Sequence, residues 1–251
     1  MRDFTQKTYR QLLETALQCD YRLMAYEDFV RATHDNQRAY ILRHDVDDLP
    51  WRSVQTATIE KSLGIRGTYY FRIVKQSNQP EAIKAIAAMG HEIGYHYEDL
   101  TLCRGNFEEA IEQYHKNLNW FRKFYPVSTI CMHGSPMSRW DNRTLWDRYN
   151  YKENGIIAEP YFDTDFSKVL YLTDTGRSWN GSSYSVRDKV SGLQASIKSS
   201  FDLMDQLRAG MLSSQIMQNI HPQRWTDEKA GWVKELLLQN IKNSVKRILA
   251  K

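Results

Sequence analysis

The stretch ILRHDVDDLP, residues 41–50, puts one histidine and three aspartates within five positions at the end of an apolar run. Like charges so close repel unless a cation or a shared proton relieves them. Side chains on an extended chain alternate faces, so Asp45 and Asp47 point one way and His44, Val46 and Asp48 the other. A divalent metal would relieve the pair and leave one carboxylate free as a base. Helix capping competes with this reading, most of all for Asp48, because a helix is predicted from about residue 51. In HEIGYH, residues 91–96, the same alternation separates His91 from His96. His96, at the strand end, is the better ligand, and His91 reads as a hydrogen-bonded structural residue. Imidazole and carboxylate together suit zinc and other first-row divalent ions.

The elements that must carry these residues alternate. Strands are predicted over 39–43, 67–74, 91–96 and 128–133, with helices over 51–63, 80–89 and 106–124 between them. Weaker strands follow at 155–158 and 169–173. A helix over 201–209, a strand over 215–220 and an amphipathic helix over 227–250 complete the chain, which opens with a helix over 5–17. The pattern predicts an α/β protein, a parallel sheet or (β/α) barrel, in one domain spanning 1–251. Such folds place their sites at the C-terminal strand ends. Asp45, Asp47, His96, His133 and His221 all stand at such ends and are expected on one rim. Polar loops nearby offer Ser135, Asn142, Asp174, Arg177, Arg224 and Trp225 as sugar or phosphate contacts.

Composition narrows the classes. The net charge of +4 spreads over 251 residues without a long basic run, which argues against nucleic-acid binding. Seven Trp and fifteen Tyr suit carbohydrate stacking or an aromatic core equally. The N-terminus lacks a secretory apolar segment, and no stretch is apolar enough to span a bilayer. Three widely spaced cysteines, Cys19, Cys103 and Cys131, read as reduced thiols of a cytoplasmic protein.

At these residues the sequence resembles the polysaccharide deacetylase superfamily, carbohydrate esterase family four. The resemblance runs from about residue 39 to 134 and resumes at His221. It rests on ILRHDVDD, GTYYF, AMGHEIGYH and NIHPQRW, with AMGHEIGYH the most specific. It implies a distorted (β/α) barrel and a zinc-like metal held by Asp-His-His. It also implies hydrolysis of N- or O-acetyl groups from sugars. Carried over, Asp45 is the base, Asp47 and His96 are ligands, and His221 is the general acid. The family's second ligand histidine falls at Leu100, and MHGSPMS replaces its Arg-Pro motif. His133 is the preferred third ligand, with Glu98 second and otherwise a substrate contact. The motifs HGSP, TDTGR and HPQRW resemble a subgroup tied to surface-polysaccharide (lipopolysaccharide) biosynthesis. That resemblance implies a nucleotide- or lipid-linked acetyl sugar as substrate. Two rivals stay open: a carbohydrate-binding barrel without activity, and a metal-dependent sugar-phosphate hydrolase.

Overall fold

The computed structural model describes residues 2–32, 37–179 and 187–249, with backbone only for 245–249. The chain runs α1 (Gln6–Gln18), β1 (Arg22–Met24), α2 (Tyr26–Arg31), β2 (Ala39–Val46), α3 (Pro50–Ser62), β3 (Thr68–Phe71), α4 (Pro80–Ala88) and β4 (Glu92–Tyr97). It continues through α5 (Asp99–Leu102), α6 (Phe107–Phe121), β5 (Ile130–Met132), α7 (Pro160–Asp163), β6 (Val169–Thr173), α8 (Ser200–Arg208), β7 (Gln215–Ile220) and α9 (Lys229–Leu249). Residue 250, the expected end of the last helix, lies outside the described residues.

Strand pairing is parallel throughout, in the order β5-β4-β3-β2-β7-β6, with β1 paired to the first half of β2. The result is the parallel α/β architecture that the alternation implied, with the sheet curled. No ladder joins β5 to β6 among the described residues, so the barrel is open there. The intervening chain bridges part of that gap. Ala158 pairs with Thr129, and Glu159 accepts the Met132 N–H at 2.9 Å. The expected strand at 155–158 is therefore a single bridge. Gly155, at φ +70°, ends a 3₁₀ turn where an extended run would need to begin. β1 and α2 have no counterpart in the sequence-based expectation.

Alternation along β2 sorts the molecule into layers. Tyr40 and Leu42 face outward into a core shared with Leu12, Leu13 and Ala16 of α1 and Leu203 of α8. Val46 joins Tyr69, Ile93 and Tyr95 beneath α3, α4 and α6. Ala39 and Ile41 face inward with Met217 and Ala158. Inward positions at the C-terminal end of β2 are Arg43 and Asp45, where apolar packing gives way to chemistry. Gly94 is needed inside: a Cβ there would lie 2.3 Å from the Tyr70 ring.

α1 begins at an N-cap where Thr5 accepts the Thr8 N–H, and α6 begins likewise at Asn106. Behind the sheet, His91 is buried and accepts the Gly67 N–H at Nδ1 while its Nε2 donates to Ala57 O. His44 is also buried and faces away from the rim, against Glu60.

Candidate metal centre and catalytic site

Four strand ends meet at one mouth. Asp47 Oδ1 lies 3.8 Å from His96 Nε2 and 3.6 Å from His133 Nε2, and its Oδ2 lies 3.8 Å from His221 Nε2. Asp47 Oδ1 is buried and has no hydrogen-bond partner. An ionised oxygen without a donor is costly, and two imidazole nitrogens converge on it. Both rings are turned by their far nitrogens. His96 Nδ1 donates to Cys131 O at 2.9 Å, and His133 Nδ1 donates to Glu98 Oε2 at 2.8 Å. That leaves the Nε2 lone pairs aimed at Asp47, as metal-binding histidines require. Burial holds His96 down to about 4 against the pull of Asp45, so its ring is neutral near pH 7.

These three donors lie within 4.8 Å of one another, and Asp45, His96 and Cys131 form a second such group. The first fits a divalent cation better. Burial pushes the Cys131 thiol well above its usual range, and Asp45 is already engaged. Burial opposes ionisation of Asp47, but His133, His221, His96 and Arg72 hold its carboxyl below the ordinary value. The residues present thus offer one carboxylate and two imidazoles, a donor set that suits a divalent ion.

Asp45 sits beside this group, clamped by its own strand. Arg43, two residues earlier on the same face, donates Nε to Oδ1 at 3.0 Å and Nη2 to Oδ2 at 2.8 Å. Asn219 of β7 adds a hydrogen bond to Oδ2 at 2.9 Å. Burial opposes the charge, yet Arg43, His96 and His221 keep the carboxyl well below the usual range. Across the mouth, His221 donates Nδ1–H to Asp174 Oδ1 at 2.6 Å, and its backbone N–H binds Oδ2. Asp174 also accepts from Arg224 at 2.6 Å and Trp225 Nε1 at 2.7 Å. Burial opposes ionisation of Asp174, but Arg224 and His221 lower its pKa, which leaves His221 beside a fixed anion.

Asp45, Asp47, His96, His133 and His221 all line one cavity of about 660 Å³. Arg224 lines it too, but the other expected substrate contacts sit elsewhere. Glu98 is buried behind His133, pinned by Arg72 at 2.7 and 2.8 Å, and that pairing with His133 lowers it to about 2 although burial opposes. Asn142 is buried and ties Thr101 N to His133 O and Ser135 Oγ. Ser135 is buried with φ +38° and sits 3.0 Å from His133 Nδ1. Both therefore shape the loop carrying His133. Asp174 is fully buried behind His221, and Trp225 packs among Phe4, Tyr9 and Trp179. Arg177 stacks on Phe4 and Trp232, away from the cavity wall. Its side chain makes no pair with that of Asp174.

Sequence reasoning missed Arg43, Arg72, Asn219 and Asp188. The first three follow from alternation: each is an inward position at or just past a strand's last turn. Asp188 also lines the cavity, taking hydroxyl bonds from Tyr161 at 2.7 Å and Tyr171 at 2.5 Å. It comes from a segment with no strand pattern, so nothing local marked it.

No family model matches this chain, and neither does any curated sequence. Among solved structures, the chain is similar to a family 4 carbohydrate esterase from Bacillus anthracis. That alignment has 11% identity and a TM-score of 0.44, covering 93% of this chain and 85% of that one. It is also similar to a family 4 carbohydrate esterase from Bacillus subtilis. There the identity is 13% and the TM-score 0.44, over 92% of this chain and 83% of that one.

Proposed function

We propose that this protein is a metal-dependent hydrolase that removes an acetyl group from a sugar. The observation that carries the reading is the partnerless Asp47 oxygen facing two imidazole nitrogens, with a clamped aspartate on one side and an Asp-backed histidine on the other. Asp47, His96 and His133 would hold the ion. When bound, it would supply Lewis acidity toward the acyl oxygen and toward water.

The chain's own groups do the rest. Arg43 and Asn219 fix Asp45 as an ionised acceptor, so it orients the attacking water and takes its proton. Its low proton affinity makes it a weak base, which suits a water that the ion, when bound, would acidify. His221 presents Nε2 to the cavity and protonates the leaving nitrogen or oxygen. Asp174 holds the ring in that tautomer and stabilises the imidazolium from which the proton leaves. A cavity of about 660 Å³ accommodates a sugar unit.

Sugar as the substrate class, and its nucleotide or lipid linkage in surface-polysaccharide assembly in the cytoplasm, rest on the sequence resemblance. Phosphate chemistry has less support. Arg72, Arg187 and Arg224 on the cavity wall are committed to Glu98, to backbone carbonyls and to Asp174. Acetate release from acetylated amino sugars and sugar acetates, measured with zinc, cobalt and manganese, tests the reading. Metal-dependent acetate should appear and fall by at least about a hundredfold in Asp45→Asn. Phosphate release from sugar phosphates without acetate would contradict it.

A further inference from the structure

The last helix buries amide side chains and leaves an apolar stripe exposed. Along α9, Gln239 and Asn243 are buried, with Gln239 Nε2 bonded to Asn243 Oδ1 and Asn243 Nδ2 bonded to Gly176 O. Glu235, one turn earlier, lines the cavity. The outward face instead carries Val233 at 48%, Leu237 at 59% and Ile241 at 63% exposure, with Leu238 at 42% beside them. Positions 233, 237 and 241 repeat every four residues and form one stripe. A surface helix ordinarily turns its apolar side to the core and its polar side to water. This one packs Trp232 against the protein but buries Gln239 and Asn243 beside it and leaves the apolar stripe exposed.

Charge identifies what that stripe meets. Among the described side chains of the helix, Lys229 and Lys234 are exposed and Lys242 is exposed at the cavity mouth, against one carboxylate, Glu235, which also lines the cavity. Basic residues bordering an apolar stripe match an anionic lipid surface, where leucine-type side chains enter the acyl boundary and lysines meet headgroups. A second copy of this chain fits poorly, because a two-fold contact through the stripe would bring the same cations together. The stripe is also continuous with the site. Ile241 lines the cavity mouth, as do the exposed Leu49 and Met137, and exposed Trp51 follows Leu49 closely. We infer that α9 docks the protein on an anionic membrane surface, so that the cavity opens at headgroup level and takes its substrate from lipid. Docking does not depend on the deacetylase reading, because vesicle binding is measured without catalysis.

The test is sedimentation of the full chain with vesicles of phosphatidylcholine alone and of phosphatidylcholine mixed with phosphatidylglycerol. Binding should require phosphatidylglycerol and weaken with salt. The Val233→Glu/Leu237→Glu pair should lower partitioning by at least about tenfold. The Lys229→Glu/Lys234→Glu pair, which leaves the stripe intact, should also weaken it. All four positions are exposed, so circular dichroism should be unchanged. Failure of the wild type to bind either vesicle, or equal binding by the Val233/Leu237 variant, overturns the inference. Light scattering that shows a dimer split by the same pair would also overturn it and assign the stripe to a second copy.

Discussion

At the scale of single residues, the site is three pairs, in each of which one side chain is held by another behind it. Glu98 orients His133, Asp174 orients His221, and Arg43 keeps Asp45 charged. Glu98→Gln tests the first. The amide oxygen can still accept from His133 Nδ1, but the charge that strengthens the ring as a donor is gone. Zinc affinity should fall by about 10- to 100-fold, read by competition with a chelating dye, while the spectrum of the folded protein stays. Undiminished affinity would confine Glu98 to holding Arg72. The spacing of Asp45, Asp47, His96, His133 and His221 was legible, because alternation and strand ends fix direction within a few residues. What stands behind them was not. Glu98, Ser135, Asn142 and Asp174 read as polar loop residues facing a ligand, and only distant packing turned them inward.

Secondary-structure elements set those directions, and they were legible where hydrophobic period and length agreed. β2, β4, β6 and β7 stand within a few residues of their expected places, as do α1, α3, α4, α6 and α8. β1 and α2 escaped because three and six residues are too few to show a period. α5 was equally hidden, and its first residue carries a testable load. Asp99 is buried and accepts from the Tyr95 hydroxyl at 2.8 and 2.7 Å and from Asn117 at 2.7 Å. Burial pushes its carboxyl up to about 7, against those donors. An acid whose folded pKa lies above its unfolded value, here about 3.8, holds its proton better when folded. Its contribution to stability is therefore greatest below that unfolded value and is lost as pH rises to about 7. Melting temperature measured between about pH 4 and about pH 8 should decline less with pH in Asp99→Asn than in the wild type. Parallel curves would show that Asp99 ionises in the folded chain as freely as in the unfolded one.

At the scale of the whole molecule, a curled parallel sheet brings Asp47 from β2, His96 from β4 and His133 from β5 to one mouth across roughly ninety residues of sequence. The resemblance to known deacetylases left a gap at Leu100, which is buried in the apolar layer under α6 and cannot substitute for a donor. His133 Nε2 lies 3.6 Å from Asp47 Oδ1, and the proposal is that it completes a metal site. Calorimetric titration of zinc into the metal-free wild type and His133→Ala tests this directly. The wild type should bind one ion per chain, and His133→Ala should bind at least about a hundredfold more weakly while keeping its fold. Equal affinity in the two proteins, or no binding to the wild type, would contradict the account.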